Sequence, residues 1–272
     1  MNAIIRTEPL AALRQGLHTS VSQVKAFQTC GKRYEIQYVR GVPPSHRPIA
    51  LSFGSAVHAA LETFYERLRD TGEKPPVEEL QAAFADRMDV EMADASIPIR
   101  FDDGQDAGTV KGQGIAMLAN YHQKGFVPDR VIAVEQPFAV DLADPETGQV
   151  LDIPLIGAID LVAEHQGRVV LVEHKTAARR FDAIRLRHDI QPSSYLFAAK
   201  SLQLAGATTA FNLLLKGKGT PTEYIPLSRT RADEIEALET ITAVLRAIES
   251  QIFFRTRGWA CGDCGFKRAC GG

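Results

Sequence analysis

Two carboxylates and an ammonium gather in a short span of this sequence. Asp160 follows Gly157-Ala158-Ile159, and Glu173 and Lys175 close the apolar run Val169-Val170-Leu171-Val172. Side chains at i and i+2 of an extended strand share a face, so Glu173 and Lys175 point one way and His174 the other. If the two runs pair as a hairpin, Asp160 is carried to the same end of the sheet. Such a set suits a hard divalent cation, Mg²⁺ or Mn²⁺, beside a phosphate. The alternative is a surface hairpin with a Glu–Lys pair at a strand exit. The run before Glu173 is wholly apolar, as in a strand buried on both faces. Charges at the end of a buried strand are the usual place for a site in open α/β sheets.

The cysteines make a second constellation. Cys261, Cys264 and Cys270 stand as C-x2-C-x5-C near the C-terminus, and Cys30 stands alone far upstream. A C-x2-C turn is the bite of a metal or cluster. Four thiolates suit a [4Fe–4S] cluster or Zn²⁺. A fourth ligand from across the whole chain reads as a clasp joining its two ends, which favours the cluster over zinc.

Other candidates have plainer explanations beside them. His58 is a lone helix histidine, ordinarily a packing residue; neutral imidazole can also complete a coordination shell. Gln191 and Tyr195 are spaced i, i+4 on one helix face, and Pro192 marks the start of that helix. Gln191 then lies where backbone N–H groups favour an anion such as phosphate, or it simply caps. Arg179, Arg180, Arg185 and Arg187 form the clearest basic stretch, either a phosphate-binding patch or a solvated loop. Glu135, on the strand before Asp160, has a weaker claim to a helper role.

The elements that must position these residues follow from the remaining pattern. Ser20-Val21-Ser22-Gln23 fits a capping box opening a helix to about Val39, with a break near Gly31. A Pro-rich loop over 42–50 precedes a helix from Gly54 to Arg69, with Val57, Leu61, Phe64 and Leu68 on one face. Further helices are expected over 76–93 and 109–124. Strands are expected at about 131–140, 150–164 and 168–175. A helix near Pro192, strands at 210–216 and 223–227, and an amphipathic helix over 230–251 complete the pattern. This is an α/β arrangement with a helical N-terminal part over about 20–125, a core over about 130–251, and a loose, flexible lead-in over 1–19.

The 272 residues suffice for a sizeable core. With 31 basic and 33 acidic residues the net charge is −2, so any nucleic-acid contact must use a local basic patch. No apolar stretch approaches a membrane span, and residues 1–15 lack the apolar core of a signal peptide. A cytoplasmic protein with reduced thiols is the expectation, with no membrane contact.

In this order, the motifs resemble the PD-(D/E)XK nuclease superfamily, in its RecB-like and Cas4-like exonuclease branch with an iron–sulfur staple. The matching segments are Ser20-Val21-Ser22, Cys30-Gly31-Lys32-Arg33-Tyr34, Gly54-Ser55-Ala56-Val57-His58, Gly157-Ala158-Ile159-Asp160, Glu173-His174-Lys175, Gln191-Pro192-Ser193-Ser194-Tyr195 and Trp259-Ala260-Cys261-Gly262-Asp263-Cys264 with Cys270. The resemblance implies a restriction-endonuclease-like core, with a central mixed β-sheet flanked by helices, a helical elaboration and a four-cysteine clasp, all in one domain over 20–272. It implies that His58, Asp160, Glu173 and the backbone carbonyl of His174 bind Mg²⁺ or Mn²⁺. Lys175 would position water or stabilise phosphate charge, and Gln191 and Tyr195 would orient substrate or lysine. Cys30, Cys261, Cys264 and Cys270 would hold the cluster. The implied activity is metal-dependent hydrolysis of DNA, as an exonuclease on single-stranded ends, in repair, recombination or CRISPR-type processing. The sequence has no P-loop, so a helicase or CRISPR adaptation partner would be a separate protein. Two alternatives are a nuclease active only inside such a complex and a non-catalytic iron–sulfur DNA-binding module. The intact Asp160, Glu173 and Lys175 weigh against the second.

Overall fold

The computed structural model describes residues 9–204, 206–217 and 219–271. The N-terminal half is helical: α1 (Leu10–Leu13), α2 (Val21–Thr29), α3 (Gly31–Tyr34), β1 (Arg47–Pro48), α4 (Ile49–Thr71), α5 (Val77–Ala93), β2 (Ile99–Arg100) and α6 (Ala107–Lys124). Then follow β3 (Arg130–Val140), β4 (Leu155–His165), β5 (Arg168–Ala177), α7 (Ala183–His188), α8 (Ile190–Ser201), β6 (Thr208–Leu215), β7 (Thr222–Leu227), α9 (Arg231–Glu249) and α10 (Lys267–Cys270). Strands β3 to β7 form one sheet in sequence order. Only the β5–β6 pair is parallel, which makes the sheet mixed, and α7 and α8 lie in the connection between those two strands. This is the flanked mixed sheet expected of a restriction-endonuclease-like core.

The alternation of strand side chains divides the core. Leu161, Ala163, Val170 and Val172 pack with α4, α5 and α6. Val162 and Leu171 face the other way, against α2, α8 and α9. Strands buried on both faces need apolar residues at nearly every position, which is why β4 and β5 read as continuous runs. The two strands join through Gln166-Gly167, both at positive φ (51° and 74°), the geometry that a tight two-residue hairpin requires.

Several boundaries differ from the sequence pattern. The first helix breaks at Cys30 (φ −168°, ψ 112°), beside the Gly31 where a break was expected, but its second part ends in a π-helical turn over Glu35–Val39. Helix α4 begins at Ile49 rather than Gly54, because the buried stripe Ile49, Phe53, Val57, Leu61 continues one turn further back, to Pro48. Gly54 is therefore inside the helix. Residues 150–154 precede β4 rather than belonging to it, and the arginine stretch contains a helix, α7, capped by Asp182. Residues 9–19, expected as a loose lead-in, carry α1, and Thr19 bridges Leu155 at the start of β4. Residues 1–8 of that lead-in lie outside the described residues.

Candidate active site

The ladder between β4 and β5 runs from His165↔Arg168 to Leu161↔Val172 and stops there. Beyond it the strands part, and Asp160 occupies the gap. The backbone N–H of His174 has no β4 partner at this point and donates to Asp160 Oδ2 at 2.7 Å. A carboxylate thus takes the place of a strand carbonyl. The parting of two strands creates the polar pocket in an otherwise apolar sheet.

Residues arrive from both faces. From α4, His58 Nδ1 lies 3.7 Å from Asp160 Oδ1 and 3.8 Å from Glu135 Oε1. Glu135 comes from β3, opposite Asp160, and has φ +47°, a strained value for a non-glycine residue. His58, Glu135 and Asp160 each offer a ligand atom, and these atoms lie within 4.8 Å of one another. From the other face, Glu173 pairs with Lys175 Nζ and is met by the Tyr195 hydroxyl. Lys175 Nζ also donates to Gln191 Oε1 at 3.4 Å, and Gln191 Nε2 donates to Tyr195 Oη at 3.4 Å. Glu173 is thus turned to Lys175 and Tyr195, while Glu135 completes the acid–imidazole cluster with His58 and Asp160. All of these except Glu135 line one open cavity of about 940 Å³.

His174 points away from that cavity. Its ring stacks on Tyr65 (5.3 Å, 6°) and accepts from Asn212 Nδ2 at 3.0 Å. Asn212 also reaches the Tyr121 hydroxyl at 2.5 Å, and Tyr121 meets Tyr65 at 2.5 Å. This buried network braces β5 from behind. The only polar residue of the run Ala210–Leu215 is Asn212. A polar side chain in a buried strand must find partners, and that was the available signal for the network.

The electrostatics follow from crowding charge into a buried gap. Burial, and then the Glu173 charge, raise the pKa of Asp160 well above the usual carboxylate range. Burial opposes the charged form of His58, yet Asp160, the Glu135 contact and Glu173 together push its pKa up to about 9. Burial also opposes the Lys175 ammonium, and the Glu173 charge and hydrogen bond outweigh it and raise its pKa. Burial, helped by the His58 and Lys175 charges, holds His174 neutral. Hard oxygen donors with one imidazole, short of positive charge, match the chemistry of a divalent-cation site.

The helix that carries Gln191 and Tyr195 departs from one expectation. The N-terminus of α8 is occupied by its own cap: Asp189 Oδ1 accepts from Gln191 N at 2.9 Å and pairs with Lys25 at 2.6 Å. That carboxylate takes the donors a phosphate would have used there. The four arginines also separate. Arg180 pairs with Glu223, Arg185 lies 3.6 Å from the Phe181 ring centroid, Arg187 lines a different hollow with Arg229, and Arg179 is exposed. Lys25 and Asp189 carried no recognisable sequence signal, because their pairing joins residues far apart in the chain.

All four cysteines line one cavity of about 220 Å³ with Arg33, Ile36 and Phe266. Phe254 returns beside Cys30, and Lys32 N donates to Phe254 O at 3.0 Å. A Cβ on Gly31 would lie 3.2 Å from Phe254 backbone atoms, so glycine admits this close approach. Asp263 pairs with His46 (2.8 Å) and Arg100 (2.7 Å), tying the knot to the loop that leads into α4 and to β2. Among the described residues, no helix is long and apolar enough to cross a membrane.

The sequence profile of the PD-(D/E)XK nuclease superfamily matches residues 18–271. No curated protein matches the chain. Among solved structures, a protein of Eubacterium rectale provisionally described as an exonuclease is similar in fold. Its TM-score is 0.54 at 13% identity, covering 92% of this chain and 88% of that one. A protein designated SSO0001 aligns over 92% of this chain and 94% of its own, at 12% identity and a TM-score of 0.37.

Proposed function

The chain belongs to the PD-(D/E)XK nuclease superfamily, and on that premise we propose that it is a divalent-metal-dependent deoxyribonuclease, an exonuclease acting on single-stranded DNA ends. The observation that carries this reading is the convergence of His58, Glu135 and Asp160 on one point, with the Glu173–Lys175 pair in the same cleft. A non-catalytic binding module has no use for that combination.

Mg²⁺ or Mn²⁺ would be held by Asp160 and His58, with Glu135, Glu173 and the His174 carbonyl as the further donors within the gap. When bound, the ion supplies Lewis-acid stabilisation of phosphate charge. The protein's own groups do the rest. The Lys175 ammonium, fixed by Glu173 and Gln191, offers a permanent positive charge to a phosphate oxygen as negative charge grows on it. Tyr195 holds the Glu173 carboxylate in place, and Gln191 links Tyr195 to Lys175. Asp160, bonded to the His174 N–H, is anchored to the β5 backbone itself. A water molecule adds to phosphorus and gives one proton up to solvent, the ester P–O bond breaks, and the departing oxygen takes a proton from solvent.

The four cysteines lining one cavity support a [4Fe–4S] cluster, with zinc as the alternative. The cluster would fasten α2 and α3 to the C-terminal segment and take no part in hydrolysis. The test is anaerobic purification, a visible absorption spectrum, and cleavage of end-labelled single- and double-stranded DNA with Mg²⁺, Mn²⁺ or EDTA. Metal-dependent release of nucleotides from linear single strands is expected. Equal cutting of circular strands would remove the exonuclease reading, and a folded protein inert on every DNA would remove the reading of a nuclease active on its own.

A further inference from the structure

A second cavity, of about 560 Å³, lies near the catalytic one and plays no part in the chemistry described above. Lys25, Gln28 and Thr29 of α2 form one wall, Arg185 and Asp189 another, and Thr256 to Ala260 the third. The Lys25–Asp189 pair belongs to the second cavity, next in the chain to the first. Asp189 lines the second, and Gln191, two residues on, lines the first. Lys25 is close enough to feel the charges of Lys175 and Glu173.

Three features of this cavity point to one ligand. Its charge is positive: Lys25, Arg185 and Arg257 face a single acid, Asp189, which Lys25 already engages. Its rim holds Trp259, 91% exposed, on a backbone pinned by Cys261 N to Gly258 O (2.9 Å) and Gly262 N to Trp259 O (3.0 Å). It also lies close to the first cavity's charged groups, since Lys25 on its wall is within electrostatic reach of Lys175 and Glu173. A large indole held out in water from a hydrogen-bonded turn, beside guanidinium groups that have no acidic partner among the described residues, matches the way proteins grip unpaired strands. Bases stack on the aromatic face and basic side chains follow the phosphates. Duplex DNA keeps its bases stacked on each other and offers no free face to such a platform.

We propose that this cavity is a subsite for single-stranded DNA: Trp259 stacks on a base of the strand while Arg257, Arg185 and Lys25 hold its phosphates on the way to the catalytic cleft. The inference rests on the nuclease reading and adds the route by which the strand is held.

The chain has one tryptophan, so its fluorescence reports on this position alone. The experiment titrates the intact protein with a fluorophore-free thymidine oligonucleotide in EDTA and follows Trp259 emission. Parallel titrations with a labelled oligonucleotide follow anisotropy. Quenching by single strands and not by blunt duplex is expected. Trp259→Ala should weaken strand binding roughly 5- to 150-fold, the range for loss of one stacked base, and Trp259→Phe should retain most of the affinity. Arg257→Gln should lower the salt dependence of binding by about one phosphate contact. A circular dichroism spectrum and melting temperature matching the parent's confirm that each variant is folded. Strand binding with unchanged Trp259 emission, and unchanged affinity in Trp259→Ala, overturns the subsite and leaves the indole to a protein contact. A protein that neither binds nor cuts DNA overturns the nuclease reading and the subsite together.

Discussion

The gap between β4 and β5 and the cysteine knot at the C-terminus hold their side chains by opposite means. In the gap, charged groups are fixed by their surroundings: Asp160 is 7% exposed and Glu173 2%, on strands buried between two apolar layers. In the knot, Phe266 is the one buried residue between 252 and 271, and regular structure amounts to two short turns of helix. The gap borrows its rigidity from the hydrophobic core. The knot has almost no core, and on the proposed reading the four thiols around one cavity would supply its rigidity through a bound cluster. The difference teaches that substitutions in the two regions should separate activity from stability.

The sharpest separation is expected in the gap. Lys175→Ala and Asp160→Asn should each lower DNA cleavage roughly 10²–10³-fold, the scale for removing one group that stabilises developing charge. Asparagine still accepts from His174 N–H, so melting temperature and circular dichroism should stay close to the parent's. Parent-like cleavage by either variant would show that the gap is not the reactive centre.

Cys30→Ala should do the reverse. If Cys30 is the proposed cluster ligand tying α2 and α3 to the C-terminal segment, its loss should cost about 2–4 kcal/mol and abolish visible absorbance. Thermal unfolding and the absorption spectrum, recorded on the same anaerobic sample, check this. An unchanged melting temperature with intact colour would mean that the knot is not a clasp.

Asp189 belongs to the second cavity, two residues before Gln191 in the first. Burial raises its pKa, but the Lys25 charge and hydrogen bond, the Gln191 N–H and the Lys175 charge outweigh burial and hold it below the usual range. A depressed carboxylate contributes stability that is present above its unfolded pKa and lost as pH falls through the folded one. Asp189→Asn should therefore be less stable by roughly 1.5–3 kcal/mol near neutrality, the worth of a charged hydrogen bond. Parent and variant should converge as pH falls below about 4. Urea unfolding at a series of pH values measures the two curves, and a constant separation down to the lowest pH would contradict the assignment.

The smallest effect belongs outside both regions. Arg180 is 70% exposed and pairs with Glu223 at the surface. Arg180→Ala should change stability by less than about 0.5 kcal/mol by urea unfolding. A larger loss would mean that the separation between core-held and surface charges is drawn in the wrong place.

Much of this was legible in the sequence because it depends on local pattern. The apolar runs around Ile159 and Leu171, the Gln166-Gly167 turn and the i, i+2 spacing of Glu173 and Lys175 are short-range facts. They predict a hairpin with two charges on one face and His174 on the other, where the Tyr65 stack now lies. The C-x2-C-x5-C spacing placed three cysteines together in the same way, and they now line one cavity with Cys30. Glu135 was legible only as an acid on the preceding strand. The start of α4 was misjudged because Gly54 looked like punctuation, whereas burial of Ile49 and Phe53 overrode it.

What the tertiary structure alone decided is which distant groups share the gap. Strand pairing stops at Leu161↔Val172 because the Asp160 carboxylate, not a β4 carbonyl, takes the His174 N–H. The backbone strain that brings Glu135 against His58, the turn of Glu173 toward Tyr195, and the Lys25–Asp189 pair in the second cavity all join residues far apart in the chain. Sequence fixes the period with which a strand presents its side chains. The positions of partners across a buried gap depend on how whole layers pack, and no local spacing carries that information.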